Sequence, residues 1–168
     1  MNKLRGFIER NDVQCRLLEK PTTHETLKAH EALKFLGYAL APSQMIKALV
    51  CVPLVDGKYR TDKAILAMVS GMHRLSIEKL QLATGYEKIM IADQKTAEKL
   101  SGYPRGGTPP IAHDEKMTIV IDEELARQST LYGGGGTTEC ILEITPQEMS
   151  RVIKDVQNAE FIITSIRE

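Results

Sequence analysis

The sequence predicts a mixed α/β (α+β) fold, and three observations carry that prediction. Asp56-Gly57 stands between two apolar runs, 46–55 and 64–69, the pattern of an antiparallel hairpin. Helix-start signals such as Thr145-Pro146-Gln147-Glu148 lie between other short apolar runs. Strand and helix patterns intermix without the strict alternation that a purely parallel sheet requires.

Taken in order, Leu4, Phe7 and Ile8 share helical spacing, so a short helix is expected up to Asn11-Asp12. Residues 13–19 alternate loosely and read as a strand. Thr22 and Glu25 have the spacing of a capping box, opening a helix whose apolar face is Leu27, Ala32, Leu33 and Leu36 and which Gly37 stops. The runs 46–55 and 64–69 are the expected central strand pair. Ser76 caps a helix closed by Gly85, 88–91 is a short strand, and Asp93 caps a helix ending at Leu100. Strands are expected at 117–121, 129–132, 139–144 and 160–163, with the Thr145-Pro146 helix before the last.

A chain of 168 residues suits one domain, and no repeat or linker divides 1–168. Lys+Arg and Asp+Glu both count 22, so no global basic field exists and broad, non-specific nucleic-acid binding is excluded. One RNA end held in a local pocket remains compatible. Cys15, Cys51 and Cys140 are scattered, with no C-x-x-C and no zinc spacing, so neither a metal nor a disulfide framework is expected. That usage and the absence of a leader pattern point to the cytoplasm. No apolar run reaches membrane-spanning length.

Three stretches stand out. Gly102-Tyr103-Pro104-Arg105-Gly106-Gly107-Thr108-Pro109-Pro110-Ile111-Ala112 is too rich in Gly and Pro for a helix or central strand, so it is a loop of defined shape. It reads either as a surface connection or as a wall that lets a ligand approach the backbone. Gly133-Gly134-Gly135-Gly136 follows a predicted strand and does not open a helix, which disfavours dinucleotide binding and leaves a hairpin loop or a second ligand wall. Lys47 heads an apolar strand, so it snorkels, pairs with an acid, or opens into a pocket.

In order and spacing, these pieces resemble the YbaK/ProX family of aminoacyl-tRNA editing domains, which hydrolyse mischarged aminoacyl-tRNA. The resemblance runs through Gln44–Val50, Ala92-Asp93, Gly102-Tyr103, Gly106–Pro110, Ile121-Asp122, Thr130–Tyr132, the glycine run and Glu143. It implies a strongly curved, partly closed mixed β-sheet surrounded by helices. It also implies a trans-acting deacylase that cleaves the ester of mischarged tRNA, with no cofactor and no metal. The expected partners are the 3′ end of an aminoacyl-tRNA and an aminoacyl-tRNA synthetase, with no membrane and no DNA. The alternative is a non-catalytic module of the same fold that binds a tRNA end or a nucleotide.

The family's lysine falls on Lys47 and its G-x-x-x-P loop on Gly106 and Pro110. Catalysis is therefore expected from Lys47, a cation for phosphate, ribose or ester carbonyl, and from the N–H groups of Gly106 and Gly107. Substrate contact is expected from Tyr103, Arg105, Thr108, Pro109, Pro110, Asp122, Gly134 and Gly135. Asp122 either orients Lys47 or a hydroxyl, or is a turn or cap residue. The chain departs from the family pattern at Pro109 and Ala112, and at Thr137-Thr138, where relatives often carry basic residues. His24, His30, His73 and His113 form no triad-like set, though His113 lies close to the loop. No serine sits in G-x-S-x-G. Hydrolysis by water, helped by the substrate's own ribose hydroxyl, is the mechanism the family implies.

Overall fold

The apolar runs flanking Asp56-Gly57 pair as their pattern requires. β2 (Ile46–Val55) and β4 (Ile65–Ser70) are antiparallel, in register from Ile46 opposite Ser70 to Cys51 opposite Ile65. Asp56 and Gly57 both take positive φ, +51° and +77°, as a tight hairpin turn demands. In the computed structural model the described residues are 2–21, 28–38 and 40–168. The expected Thr22–Glu25 cap and Leu27 lie outside them.

Among the described residues, six further strands and one short ribbon join β2 and β4. β1 (Cys15–Glu19) precedes the central pair, and β3 (Lys58–Tyr59) continues its hairpin turn. β5 (Lys88–Ile91) pairs with β2 on the edge away from β4. β6 (Thr118–Asp122) lies parallel to β4, and β9 (Phe161–Thr164) parallel to β6. β7 (Leu131–Gly134) and β1 flank β8 (Cys140–Ile144) in a separate antiparallel sheet of three strands. A bridge between Met45 and Tyr132 joins the two sheets. The mixed α+β class is thus confirmed. The expected single, partly closed sheet is corrected: two sheets form, and neither closes on itself among the described residues.

Alternation along β2 and β4 divides the core. Ile46, Ala48, Val50, Leu66 and Met68 pack with the larger cluster, which includes Met149, Val152 and Ile153 after β8. Leu49, Cys51, Ile65, Ala67 and Val69 pack with Leu75 and Leu80 on the other face. Both faces of β4 are covered, so every residue of that strand is buried.

The helices are α1 (Lys3–Arg10), α2 (Ala29–Phe35), α3 (Ile77–Thr84), α4 (Gln94–Ser101), α5 (Glu123–Ala126) and α6 (Pro146–Arg151). Ser76 Oγ accepts from Lys79 N–H at 3.2 Å and Asp93 Oδ1 from Thr96 N–H at 2.8 Å, so both expected caps form. Gly85 and Gly102 end α3 and α4 with φ of +81° and +83°. Thr145 caps α6, but the box is only half made. The Glu148 carboxylate binds Gln14 N–H at 2.6 Å and Arg151 instead of turning back to Thr145. After α6 the chain widens into a π turn, 152–156. All three cysteines are free, and burial pushes the Cys51 thiol up to about 12. Among the described residues no helix is long and apolar enough to cross a membrane.

Candidate active site

β5 covers its edge of β2 only over Cys51–Leu54, and Ala92 N–H adds one bond to Val50 O at 2.9 Å. On that edge Ile46 to Leu49 have no ladder partner among the described residues. A cavity of about 550 Å³ opens against this stretch of strand. Ile46 to Val50 supply one side of it and Ala92, Gln94, Ala97 and Glu98 another. Further lining comes from Arg105, Gly106 and Thr108 of the glycine-proline loop, from Gly133, Gly134, Cys140 and Ile141 of β7 and β8, and from Lys20. The three stretches singled out in the sequence therefore meet at one place.

The glycine-proline loop is braced along its length. Tyr103 OH donates to Ala112 O at 2.8 Å, and Ala112 N–H donates to Gln157 Oε1 at 2.8 Å. Those two bonds hold Ala112 at φ +69°, a left-handed conformation that a methyl-bearing residue rarely adopts. His113 Nε2 lies 2.7 Å from the Pro109 carbonyl, which can only accept, so Nε2 carries the proton. Burial pushes this imidazole down to about 4, and its Nδ1 is buried with no partner. Arg105 N–H is fixed to Glu98 Oε1 at 3.0 Å. Gly107 N–H donates to Pro104 O at 2.9 Å, closing a turn.

That last bond revises one expectation. The Gly107 N–H is committed inside the loop and does not point a free donor at a ligand. Gly106, at φ +85°, makes no N–H bond among the described residues, and Gly106 and Thr108 line the cavity where Gly107 does not. Gly107 instead lets this loop touch the glycine run at the end of β7 and beyond it. A Cβ there would meet the Thr137 carbonyl carbon at 2.9 Å, and one at Gly134 would meet Thr108 O at 2.2 Å. Gly136 N–H donates back to Gly107 O at 2.8 Å. The second glycine loop is held from behind by α1, through Asn2 Nδ2 to Gly135 O at 2.8 Å.

Lys47 lines the cavity, while its ammonium donates to His73 O at 2.7 Å. By strand alternation its side chain leaves β2 on the face of Leu49 and Cys51, opposite Ile46 and Ala48. The His73 ring is itself 3.2 Å from Glu124 Oε2.

Several expected contact residues stand behind the cavity wall. Tyr103 is buried as a brace, and burial followed by the Asp114 charge pushes its hydroxyl up to about 12. Pro109 and Pro110 are buried, with the Pro110 ring packed on Gly133. Gly135 has no room for a Cβ, since Cys140 C lies 2.4 Å from where it would go. Of the two alternatives for Asp122, the cap is the one that forms, and the expected substrate contact is not made: Asp122 lies at the end of β6, caps α5, does not line the cavity and does not orient Lys47. Its carboxylate accepts from Glu124 N–H at 3.0 Å, Ile166 N–H at 2.8 Å and Arg167 N–H at 3.1 Å, and pairs with the Arg167 guanidinium. Burial pushes that carboxyl up, but these donors outweigh it and hold it below the usual range. It staples the C-terminal residues to α5.

Sequence reasoning missed Lys20, Gln94 and Glu98. No local motif marks Lys20. Glu98 had a faint signal, being one turn after Gln94 on the helix that Asp93 caps, and the pair is bonded at 3.1 Å.

Comparison with known proteins gives a consistent picture. Residues 23–152 match the family model described as "Aminoacyl-tRNA editing domain". The "Putative Cys-tRNA(Pro)/Cys-tRNA(Cys) deacylase EbsC" of Enterococcus faecalis is 24% identical over 162 residues, covering 96% of this chain and 92% of that protein. Proline–tRNA ligase of Geobacter metallireducens is 30% identical over 124 residues, which are 74% of this chain but 20% of the ligase. A crystal structure described as "a putative trans-editing enzyme for prolyl tRNA synthetase" superposes with a TM-score of 0.76 at 26% identity, over 98% of this chain and 94% of that one.

Proposed function

The chain belongs to the aminoacyl-tRNA editing domain family, and we propose that it is a trans-acting deacylase that cleaves the ester of mischarged tRNA. The observation that carries this reading is the cavity itself, where the Lys47 strand, Gly106 and the second glycine loop converge. The match over most of a deacylase-like relative, against a fifth of a ligase, supports action in trans. In this reading residues 1–168 work as one editing domain in the cytoplasm, and a prolyl-tRNA synthetase is the partner whose errors it corrects.

The tRNA 3′ end enters the cavity, with Arg105 and Gly134 on its walls and Pro109, Pro110 and Gly135 holding their shape. Water attacks the ester carbonyl carbon, and charge develops on the carbonyl oxygen. The Gly106 N–H and the Thr108 N–H or hydroxyl stabilise that charge; loss of one such donor typically lowers turnover by about 10²–10³. The bond from carbonyl carbon to ribose oxygen then breaks, and the ribose oxygen takes up a proton. The neighbouring ribose hydroxyl positions the water, so no protein nucleophile is required. Lys47 serves this step by leaving His73 O for the substrate.

The position of the Lys47 ammonium on His73 also favours a second reading, a module that binds the tRNA end without cleaving it. Purified protein incubated with a panel of charged tRNAs, Cys-tRNA(Pro) first, separates the two. The deacylase reading expects release of the amino acid from mismatched pairs and intact correctly charged tRNA. Lys47→Ala should remove most of that turnover with an unchanged melting temperature. Tight binding of every panel member with no release would establish the second reading instead.

A further inference from the structure

Building on the editing reading, we propose that Lys20 and Arg105 form a phosphate subsite in the cavity. It grips a backbone phosphodiester near the 3′ end of the tRNA and leaves Lys47 for the ester.

Lys20 follows β1, and its N–H continues the β1–β8 ladder to Glu139 O at 2.8 Å. Arg105 stands on the glycine-proline loop, anchored through its own N–H to Glu98. The two residues stand 85 positions apart, one after β1 and the other between α4 and β6, yet both line the one cavity. Formal charge cancels over the whole protein, but the charged residues lining the cavity are Lys20, Lys47 and Arg105 against Glu98. Glu98 Oε1 already accepts from Arg105 N–H and from Gln94 Nε2 at 3.1 Å. The Lys47 ammonium is on His73 O, on the other face of β2 from Ile46. Among the described residues, neither Lys20 nor Arg105 joins an ion pair.

The chemistry of the substrate selects the ligand. Esterification removes the α-carboxylate of the amino acid, so the anion that every charged tRNA brings to the cavity is a phosphate. A guanidinium can fork onto two oxygens of one phosphodiester while an ammonium meets it as a point charge. The glycine run cannot supply that charge in this chain, because Thr137 and Thr138 follow it. A positive site in a neutral protein also accounts for recognition of one nucleic-acid end without a broad basic surface.

The test uses Lys20→Gln, Arg105→Gln and the double variant on two substrates. One is the charged tRNA that the parent hydrolyses. The other is the same amino acid esterified to adenosine, which has no phosphate. Each single variant should raise KM for the charged tRNA about tenfold, and the double variant should raise it further. The loss on tRNA should exceed the loss on aminoacyl-adenosine by at least about tenfold. Lys20→Arg should restore binding. Binding of uncharged tRNA across a salt series should show a log–log slope shallower by about 0.7 for each cation removed. Equal losses on both substrates, or an unaltered slope, overturn the subsite. If the parent cleaves neither ester, the deacylase reading fails separately, and the salt slopes still decide whether Lys20 and Arg105 hold phosphate.

Discussion

The two glycine-rich stretches that wall the cavity, a loop at Gly106 and the end of β7 at Gly134, use the same residue for opposite reasons. At Gly106 the backbone needs φ +85°, and a Cβ would meet nothing nearer than Thr138 Cγ2 at 3.9 Å. At Gly134 no left-handed φ is required, but a Cβ would lie 2.2 Å from Thr108 O. The first glycine sets a conformation and the second permits a contact. Motif matching treats them alike, whereas substitution should not.

Gly134→Ala should be the most damaging change. The obstacle is backbone, which cannot swing aside, so overpacking should remove about 3 kcal/mol of stability. Urea denaturation measures this, and a loss below about 1 kcal/mol would mean that the loops can part freely.

The next largest effect concerns the brace behind the first loop. Burial holds the His113 imidazole at about 4, below its unfolded value. A histidine lowered in this way contributes stability that is full above the unfolded pKa. The unfolded chain takes up the proton first as pH falls from about 6.5, so stability is lost down to about pH 4, by up to about 3 kcal/mol. His113→Gln keeps an N–H for Pro109 O and has nothing to titrate. Its stability should therefore fall less than the parent's over that interval. Parallel curves for the two proteins would show that His113 is not held neutral.

Gly106→Ala comes third, at about 1–2 kcal/mol for a left-handed alanine. Its turnover should fall further than its stability suggests, because the N–H proposed to face the ester would be displaced. Full activity in a folded Gly106→Ala protein would move the catalytic donors to Thr108 or to the second loop. Pro109→Ser should be mildest, costing about 1 kcal/mol through the freer unfolded chain. The carbonyl that His113 holds is retained, so its activity should stay within a few-fold of the parent. A Pro109→Ser protein that loses all turnover would show that the buried ring itself sets the loop.

Local signals were read well from the sequence, and non-local ones were not. The bounds of β2 and β5 match their apolar runs, and Ser76, Asp93 and Gly85 punctuate helices where their chemistry places them. The family resemblance located Lys47 and Gly106 on one cavity although 58 residues of chain lie between them. Division of the strands into two sheets could not be read, because pairing of β1 with β8 joins residues more than a hundred positions apart. Nor could the fate of individual polar groups. The Gly107 N–H is removed from the site by a carbonyl three residues earlier, and Asp122 is saturated by donors from the last residues of the chain. Lys20 reaches the cavity only because β1 pairs along β8.

The interlocking of Gly107 with Thr137, and of Gly134 with Thr108, separates what can drift from what cannot. On the proposed reading the chemistry is framed by main chain, whose contacts tolerate no added atom and tie two distant segments to each other. The opposite side is made of Ile46, Ala48, Val50, Ala92 and Ala97, ordinary side chains on β2, on α4 and on the link that precedes α4. A lineage, or a mutant library, can resize that side residue by residue without touching the frame. If the proposed reading holds, each methylene gained or lost there should shift the preference between two amino acids by about 1–3 kcal/mol. Retuning which error is corrected is thus open to single substitutions, while rebuilding how it is corrected needs both loops to change together.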